Sequence, residues 1–156
     1  MGSYRFMRCK DAQLKMGIIQ LATTELFEFS NKFLKEYLPY TIELGRSFVA
    51  PQYQPSLENR KGLFSLDNLW DGLGAIVVDN PDMKYFFGKV TMYRDFNLKA
   101  RDMILYFMQY YFPDKDGLVI PLEPLGSNYN VGTFAKKIEG KDYKEGHAIL
   151  NQEVRE

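Results

Sequence analysis

Ile42-Glu43-Leu44-Gly45-Arg46-Ser47-Phe48-Val49 is the stretch on which the fold turns. Residues 40–49 are rich in β-formers and end before Pro51, which predicts a strand. Glu43, Arg46 and Ser47 sit inside it. A strand carrying such groups must satisfy them with partners or line a cavity with them. In a flat strand Glu43, Gly45 and Ser47 would share one face and Arg46 would point the other way. Gly45 invites a bulge or a close backbone approach, and a bulge would re-aim these side chains. Two readings stay open on spacing alone: a polar strand flooring a site, or an ordinary strand with a structural Glu–Arg pair.

Working outward, Tyr4-Arg5-Phe6-Met7-Arg8-Cys9 alternates ring or sulfur with charge and predicts a strand. Residues 23–29 read as a short strand, followed by a helix over 31–38 capped by Ser30 and stopped by Pro39. One helix over 24–37 is the competing reading. Downstream, 52–62 is a polar connection. Ser65 can cap a helix whose apolar set is Leu66, Leu69, Trp70, Leu73, Ile76 and Val77, ending at Asn80-Pro81. Gly72 and Gly74 weaken that helix and suggest tight packing on a sheet. Residues 84–93 predict a strand with Phe86, Gly88, Val90 and Met92 on one face. Asn97 caps a helix that Pro113 stops, Leu118-Val119-Ile120 is a short strand, the chain reads as loop from Pro121, and a polar helix covers 142–155. Alternation of this kind predicts an α/β domain with a parallel crossover, pairing 40–49 with 84–93 through the helix at 65–79.

The chain has 156 residues, which suits a single domain over 1–156. Lys plus Arg and Asp plus Glu are 20 each, so net charge makes no case for nucleic acid. Cys9 is the only cysteine and His147 the only histidine, which excludes an intrachain disulfide and argues against a Cys/His zinc site. No apolar run reaches the ~20 residues of a membrane span, and the N-terminus has no signal-peptide pattern. The expectation is a soluble, cytoplasmic protein.

Other residues bear chemistry beside the central strand. Arg60-Lys61-Gly62 precedes a helix start, where amides attract phosphate; the cluster either recognises a phosphopantetheine arm or carrier surface, or is a solvated loop. Asn68, Trp70 and Asp71 sit together, with Trp70 either walling an acyl channel or belonging to the core. Tyr93 and Arg94 follow a strand end. The aromatic helix at 98–112 either lines a lipid tunnel or packs a core. His147 reads as a surface residue.

Four stretches together carry a resemblance: Gly2-Ser3-Tyr4-Arg5, Glu43-Leu44-Gly45-Arg46-Ser47-Phe48-Val49, Asn68-Leu69-Trp70-Asp71-Gly72-Leu73 and Tyr85-Phe86-Phe87-Gly88. Over roughly residues 2–125 the chain resembles the N-acyltransferases of ornithine-lipid and glycine-lipid synthesis. Those bacterial proteins are often labelled hemolysins and are related to acyl-homoserine lactone synthases, which carry a similar Glu-x-x-Arg strand. The resemblance implies a GNAT-like fold, a mixed central sheet flanked by helices, and transfer of a 3-hydroxyacyl group from acyl carrier protein to the α-amine of an amino acid such as glycine or ornithine. It implies no metal and no cofactor, the donor being acyl carrier protein or acyl-CoA. The Arg/Gln-x-x-Gly-x-Gly/Ala loop that cradles acetyl-CoA is missing from the sequence, which fits a carrier-protein donor.

Carried onto this chain, the resemblance makes Glu43 the candidate base, Arg46 a holder of the acceptor carboxylate, and the amides near Ser47 and Phe48 polarisers of the thioester carbonyl. Phe48, Arg60, Lys61 and Trp70 become donor-binding candidates, and Arg5 and Asn68 acceptor-binding ones. In such folds the strand at 41–49 splays from its neighbour and the acyl-pantetheine enters the gap. The helices that usually precede the first strand have no counterpart before Tyr4, so the chain reads as a partial domain, either the central piece of a longer protein or a short homologue. A peripheral membrane contact and pairing with a second copy across the open sheet edge are further expectations. The alternatives are a non-catalytic acyl-carrier or lipid-binding module, and an acyl-homoserine lactone synthase-like enzyme.

Overall fold

The computed structural model describes residues 2–12, 19–54, 64–93 and 95–155. In chain order they form β1 (Gly2–Arg8), α1 (Cys9–Ala12), β2 (Phe27–Phe29), a π-helical turn (Phe33–Tyr37) leading into a 3-10 turn (Leu38–Tyr40), and β3 (Thr41–Val49). A 3-10 turn (Pro51–Tyr53), α2 (Ser65–Asp79), β4 (Tyr85–Gly88), α3 (Leu98–Tyr111), β5 (Val119–Pro121), α4 (Gly132–Ile138) and α5 (Tyr143–Glu153) follow. The chain divides into two compact units, Met1–Lys89 and Val90–Glu156.

The first unit is built on a mixed sheet in the order β1-β3-β4. β3 runs antiparallel to β1 and parallel to β4, with α2 in the crossover, as the alternation of elements predicts. One face is covered by α2, where Leu73 and Ile76 pack with Ile42 and Met83 against Tyr4 and Leu44. The stripe is narrower than the periodicity suggests. A three-stranded sheet covers only the line through Leu73 and Ile76, so Trp70, one position off that line, is 62% exposed and does not belong to the core.

The opposite face is covered by the segment at 21–40, which stacks Phe29 and Phe33 on Phe87 and Tyr37 on Tyr85. Here the expected helix over 31–38 is reshaped. Ser30 does cap it, its hydroxyl accepting from the Phe33 amide at 3.1 Å. Pro39 has no N–H to continue an α-helical ladder. The chain widens into the π turn, where the Leu38 amide donates to the Phe33 carbonyl, and then tightens. β2 breaks the competing 24–37 helix, and the expected 23–29 strand shrinks to three residues behind a turn.

Other boundaries moved for identifiable reasons. Cys9 opens α1 instead of closing β1. α2 has Phe64 as its cap position without a side-chain bond, so Ser65 is its first residue and not its cap. β4 stops at Gly88, well short of residue 93. Val90, Thr91, Met92 and Tyr93 have the propensity for a strand, but β4 as formed does not extend to them. Gly88 packs closely on β3: a Cβ there would lie 3.1 Å from the Leu44 carbonyl, a tight contact.

The two glycines of α2 differ. A Cβ at Gly72 would come within 2.7 Å of the Tyr4 hydroxyl, whereas one at Gly74 would meet nothing within 4 Å. Tight packing therefore holds for Gly72 alone. Gly72→Ala must displace the Tyr4 hydroxyl, a cost of about 1–3 kcal/mol that the helix-propensity gain of about 0.5–1 kcal/mol offsets only in part, so a net destabilisation of up to about 2 kcal/mol is expected. Gly74→Ala is expected to stabilise by about 0.5–1 kcal/mol through helix propensity. Thermal denaturation of the two variants checks the opposite signs.

The second unit has its own core of Met103, Phe107, Phe134, Ile138 and Leu150. Asn97 caps α3 by accepting from the Ala100 amide at 3.0 Å, as expected. Asp142 caps α5 in a reciprocal box with Glu145. α4 lies where the sequence reads as loop; with only Phe134 and Ile138 buried along it, its apolar signal is one i, i+4 pair. The short strand is shifted by one residue, to Val119–Pro121. Asp102, 3% exposed, accepts from the amides of Asn128 and Tyr129 and pairs with Arg101. Burial works against its ionisation, but the guanidinium and the two amides outweigh it and hold the carboxyl at about 2. The aromatic face of α3 is core: Phe107 meets Tyr111, Tyr143 and His147.

Candidate active site

The site forms where β3 loses one neighbour. The β3–β4 ladder runs from Thr41↔Tyr85 to Leu44↔Gly88 and ends there. The β1–β3 ladder continues to Gly2↔Val49. From Gly45 to Val49, β3 has no ladder partner on its β4 side among the described residues.

Within that half, which stays paired with β1, lies a bulge. The register passes from Arg5↔Gly45 to Ser3↔Phe48, so Tyr4 stands opposite two residues, Arg46 and Ser47. Arg46 takes φ +52°, a left-handed conformation unusual for a residue with a Cβ. The extra residue resets the alternation beyond it. Phe48, not Ser47, therefore comes into phase with Glu43 and Gly45. The flat-strand grouping of Glu43, Gly45 and Ser47 is corrected on this point.

One face of the sheet thus presents Glu43, Gly45 and Phe48 from β3, Arg5 and Met7 from β1, and Phe87 from β4. Polarity and exposure grade along it. Glu43 is 6% exposed and Phe48 57%. Between them, a Cβ on Gly45 would meet nothing within 4 Å among the described residues.

Glu43 makes no ion pair with Arg46 among the described residues. Its partners are in the turn that precedes β2. Oε1 accepts from the Thr23 amide at 3.1 Å and from the Thr23 hydroxyl at 2.8 Å; Oε2 accepts from the Ala22 amide at 3.2 Å. Sequence reasoning missed Thr23 and Ala22. A threonine in a polar turn some twenty residues upstream gives no local signal of its partner.

Cys9 is fully buried close to Glu43. Burial, and then the charge of Glu43, push its thiol up to about 12, against a weaker opposing bond from the Glu43 backbone. The thiol is therefore neutral and is no nucleophile at ordinary pH. Because the folded value lies above 9.0, this group adds stability that is fully present below pH 9.0 and drains away as pH rises towards about 12. Native protein at pH 8 is expected to resist iodoacetamide, and Cys9→Ala to flatten the alkaline limb of a stability–pH curve. Mass-resolved alkylation and pH-dependent melting check both.

The other candidates divide. Arg5, on β1, shares the Glu43 face, whereas Asn68 and Trp70 belong to α2, which packs on the opposite face. All three are exposed. The sheet lies between Arg5 and Asn68, so the two do not converge from one side. Arg46 and Ser47 are exposed at the bulge. Arg60, Lys61 and Arg94 lie outside the described residues, as do the side chain of Leu66 and the connection from residue 55 to residue 63. Tyr93 is exposed, and His147 is exposed and stacked on Tyr143. A cavity of about 150 Å³ in the second unit, touching Asp102, Leu105, Gln109 and Leu125, is smaller than an ordinary ligand site (roughly 300–1,000 Å³).

Comparison with known proteins adds a class. The chain is similar to N-acyltransferases. The particular relatives are the glycine N(alpha)-acyltransferase of Phocaeicola vulgatus, 50% identical over 160 residues, and the glycine N(alpha)-acyltransferase of Bacteroides thetaiotaomicron, 50% identical over 159 residues. Both alignments take in 99% of this chain, but 48% and 46% of the relatives, so the chain spans about half the length of the curated relatives it matches. No family model matches the chain, and no solved structure matches it. Among the described residues no helix is long and apolar enough to cross a membrane.

Proposed function

We propose that this chain is an N-acyltransferase unit of GNAT-like fold that moves a (3-hydroxy)acyl group from acyl carrier protein to the α-amine of glycine, in bacterial aminolipid synthesis. The observation that carries the proposal is the end of the β3–β4 ladder at Leu44↔Gly88 among the described residues, directly beside a buried carboxylate. A thioester arm is long, thin and amide-bearing, and an unpaired strand edge offers it backbone partners. The 50% identity to two glycine N(alpha)-acyltransferases supports glycine as the acceptor.

The chemistry is direct aminolysis. The neutral amine of glycine attacks the thioester carbonyl, a C–N bond forms, and the C–S bond breaks to release the carrier's thiolate. Glu43, directly or through one water, accepts the amine proton. Amides of the bulge at Ser47 and Phe48 polarise the carbonyl as charge builds on its oxygen. Arg46, at the bulge, binds the acceptor carboxylate, and Arg5, on the Glu43 face of the sheet, is a second cation. Phe48, half exposed at the outer end, borders the donor's path, with Arg60, Lys61 and Trp70 as further donor contacts. No metal or cofactor enters these steps.

Purified protein incubated with 3-hydroxypalmitoyl carrier protein and a panel of amino acids is expected to yield N-acylglycine by mass spectrometry. Carrier binding without product would replace this reading with the non-catalytic module, and a lactone product with the homoserine lactone synthase.

A further inference from the structure

We propose that Thr23 is a positioning residue which, with the Ala22 amide, turns Glu43 into a base of one defined oxygen, Oε2. The inference rests on the acyl-transfer reading and names a device within it. A carboxylate offers about four lone-pair sites over two oxygens. Oε1 receives two donors from one residue, the Thr23 amide at 3.1 Å and the Thr23 hydroxyl at 2.8 Å. Oε2 receives one, the Ala22 amide at 3.2 Å. Among the described residues nothing else donates to either atom, so Oε1 is saturated and the remaining lone pair belongs to Oε2.

The surroundings suit a fixed group. Thr23 is 2% exposed and Glu43 6%, so neither side chain has freedom to rearrange into solvent. The turn is itself braced: the Thr24 hydroxyl donates to the Leu21 carbonyl at 2.8 Å, and the amides of Leu26 and Phe27 donate to the Thr23 carbonyl. A carboxylate gripped on one oxygen cannot rotate to offer the other. Its remaining lone pair keeps one direction, which is the requirement for proton transfer to a positioned base. Balance is simple: the proton leaving the attacking amine goes to Oε2, and the Oε1 bonds remain throughout.

The test compares Thr23→Val, Thr23→Ser, Glu43→Gln and the Thr23→Val/Glu43→Gln double variant. Each is assayed for N-acylglycine formation from 3-hydroxypalmitoyl carrier protein, well below its own melting midpoint. Valine keeps the shape and the amide but removes the hydroxyl donor; kcat is expected to fall about tenfold or more, with KM for glycine unchanged. Serine restores the donor and is expected to restore kcat. On the Glu43→Gln background, Thr23→Val is expected to cost no further rate, because the base it positions is gone. Wild-type kcat in Thr23→Val, an equal loss in Thr23→Ser, or multiplicative losses in the double variant would each overturn the clamp while leaving Glu43 as base. Full activity of Glu43→Gln would instead remove the reading on which the clamp stands.

Discussion

Glu43→Gln is expected to slow acyl transfer to glycine by about 10²- to 10⁴-fold, the usual contribution of a positioned general base. The amide is nearly isosteric but cannot take a proton at neutral pH. It also meets a wall of donors. Ala22 N–H, Thr23 N–H and the Thr23 hydroxyl all point at the carboxylate, so whichever oxygen becomes NH₂ faces a donor of like kind. That mismatch is expected to cost about 1–3 kcal/mol of stability. Rate and melting temperature should therefore fall together, with the loss of rate persisting at temperatures where the variant is fully folded. Product formation under single-turnover conditions, beside a thermal melt, separates the two effects. A variant that is less stable but turns over at the wild-type rate would make Glu43 a structural anchor for the turn and nothing more.

Arg46→Gly is expected to do the reverse: weaken function without weakening the fold. Arg46 holds φ +52°, where an L-residue is strained by roughly 1–2 kcal/mol and glycine is at ease. Relief of that strain opposes the larger entropy of glycine in the unfolded chain, so stability is expected to stay level or rise by up to about 1 kcal/mol. Strain of this kind is kept where surroundings demand it, and binding sites are such places. A charge-assisted bond to the acceptor carboxylate is worth about 1.5–3 kcal/mol, so kcat/KM for glycine should fall by roughly 10- to 150-fold. Glycinamide lacks the carboxylate. Wild-type protein should discriminate strongly between glycine and glycinamide, and Arg46→Gly should not. Equal discrimination in both proteins would release Arg46 from acceptor binding.

These two residues show how unevenly the site could be read in advance. Ionisable groups inside a β-forming run require an explanation from sequence alone, and Gly45 pointed to an irregularity beside them. The nature of the irregularity was not legible. A bulge depends on the register that two strands adopt, and Tyr4 opposing both Arg46 and Ser47 is a property of the pair. The grouping of Ser47 with Glu43 failed for that reason. The partners of Glu43 were hidden for another. A buried carboxylate takes donors wherever the fold delivers them, and the turn at 21–24 is far away in sequence.

The same division runs through the fold. Capping residues by themselves determined the Asn97 cap and the polar helix near the C-terminus, because each depends on interactions within a few residues, and the order of β3, α2 and β4 was legible from their local periodicity. Tertiary structure decided where β4 ends, that Trp70 stays exposed, that a Cβ at Gly72 would meet Tyr4 while one at Gly74 would meet nothing among the described residues, and which donors reach each oxygen of Glu43. Those are questions of what lies across the sheet or beyond its last rung. Local sequence specifies how a segment prefers to fold, but the space beside it is set by segments brought there from elsewhere in the chain.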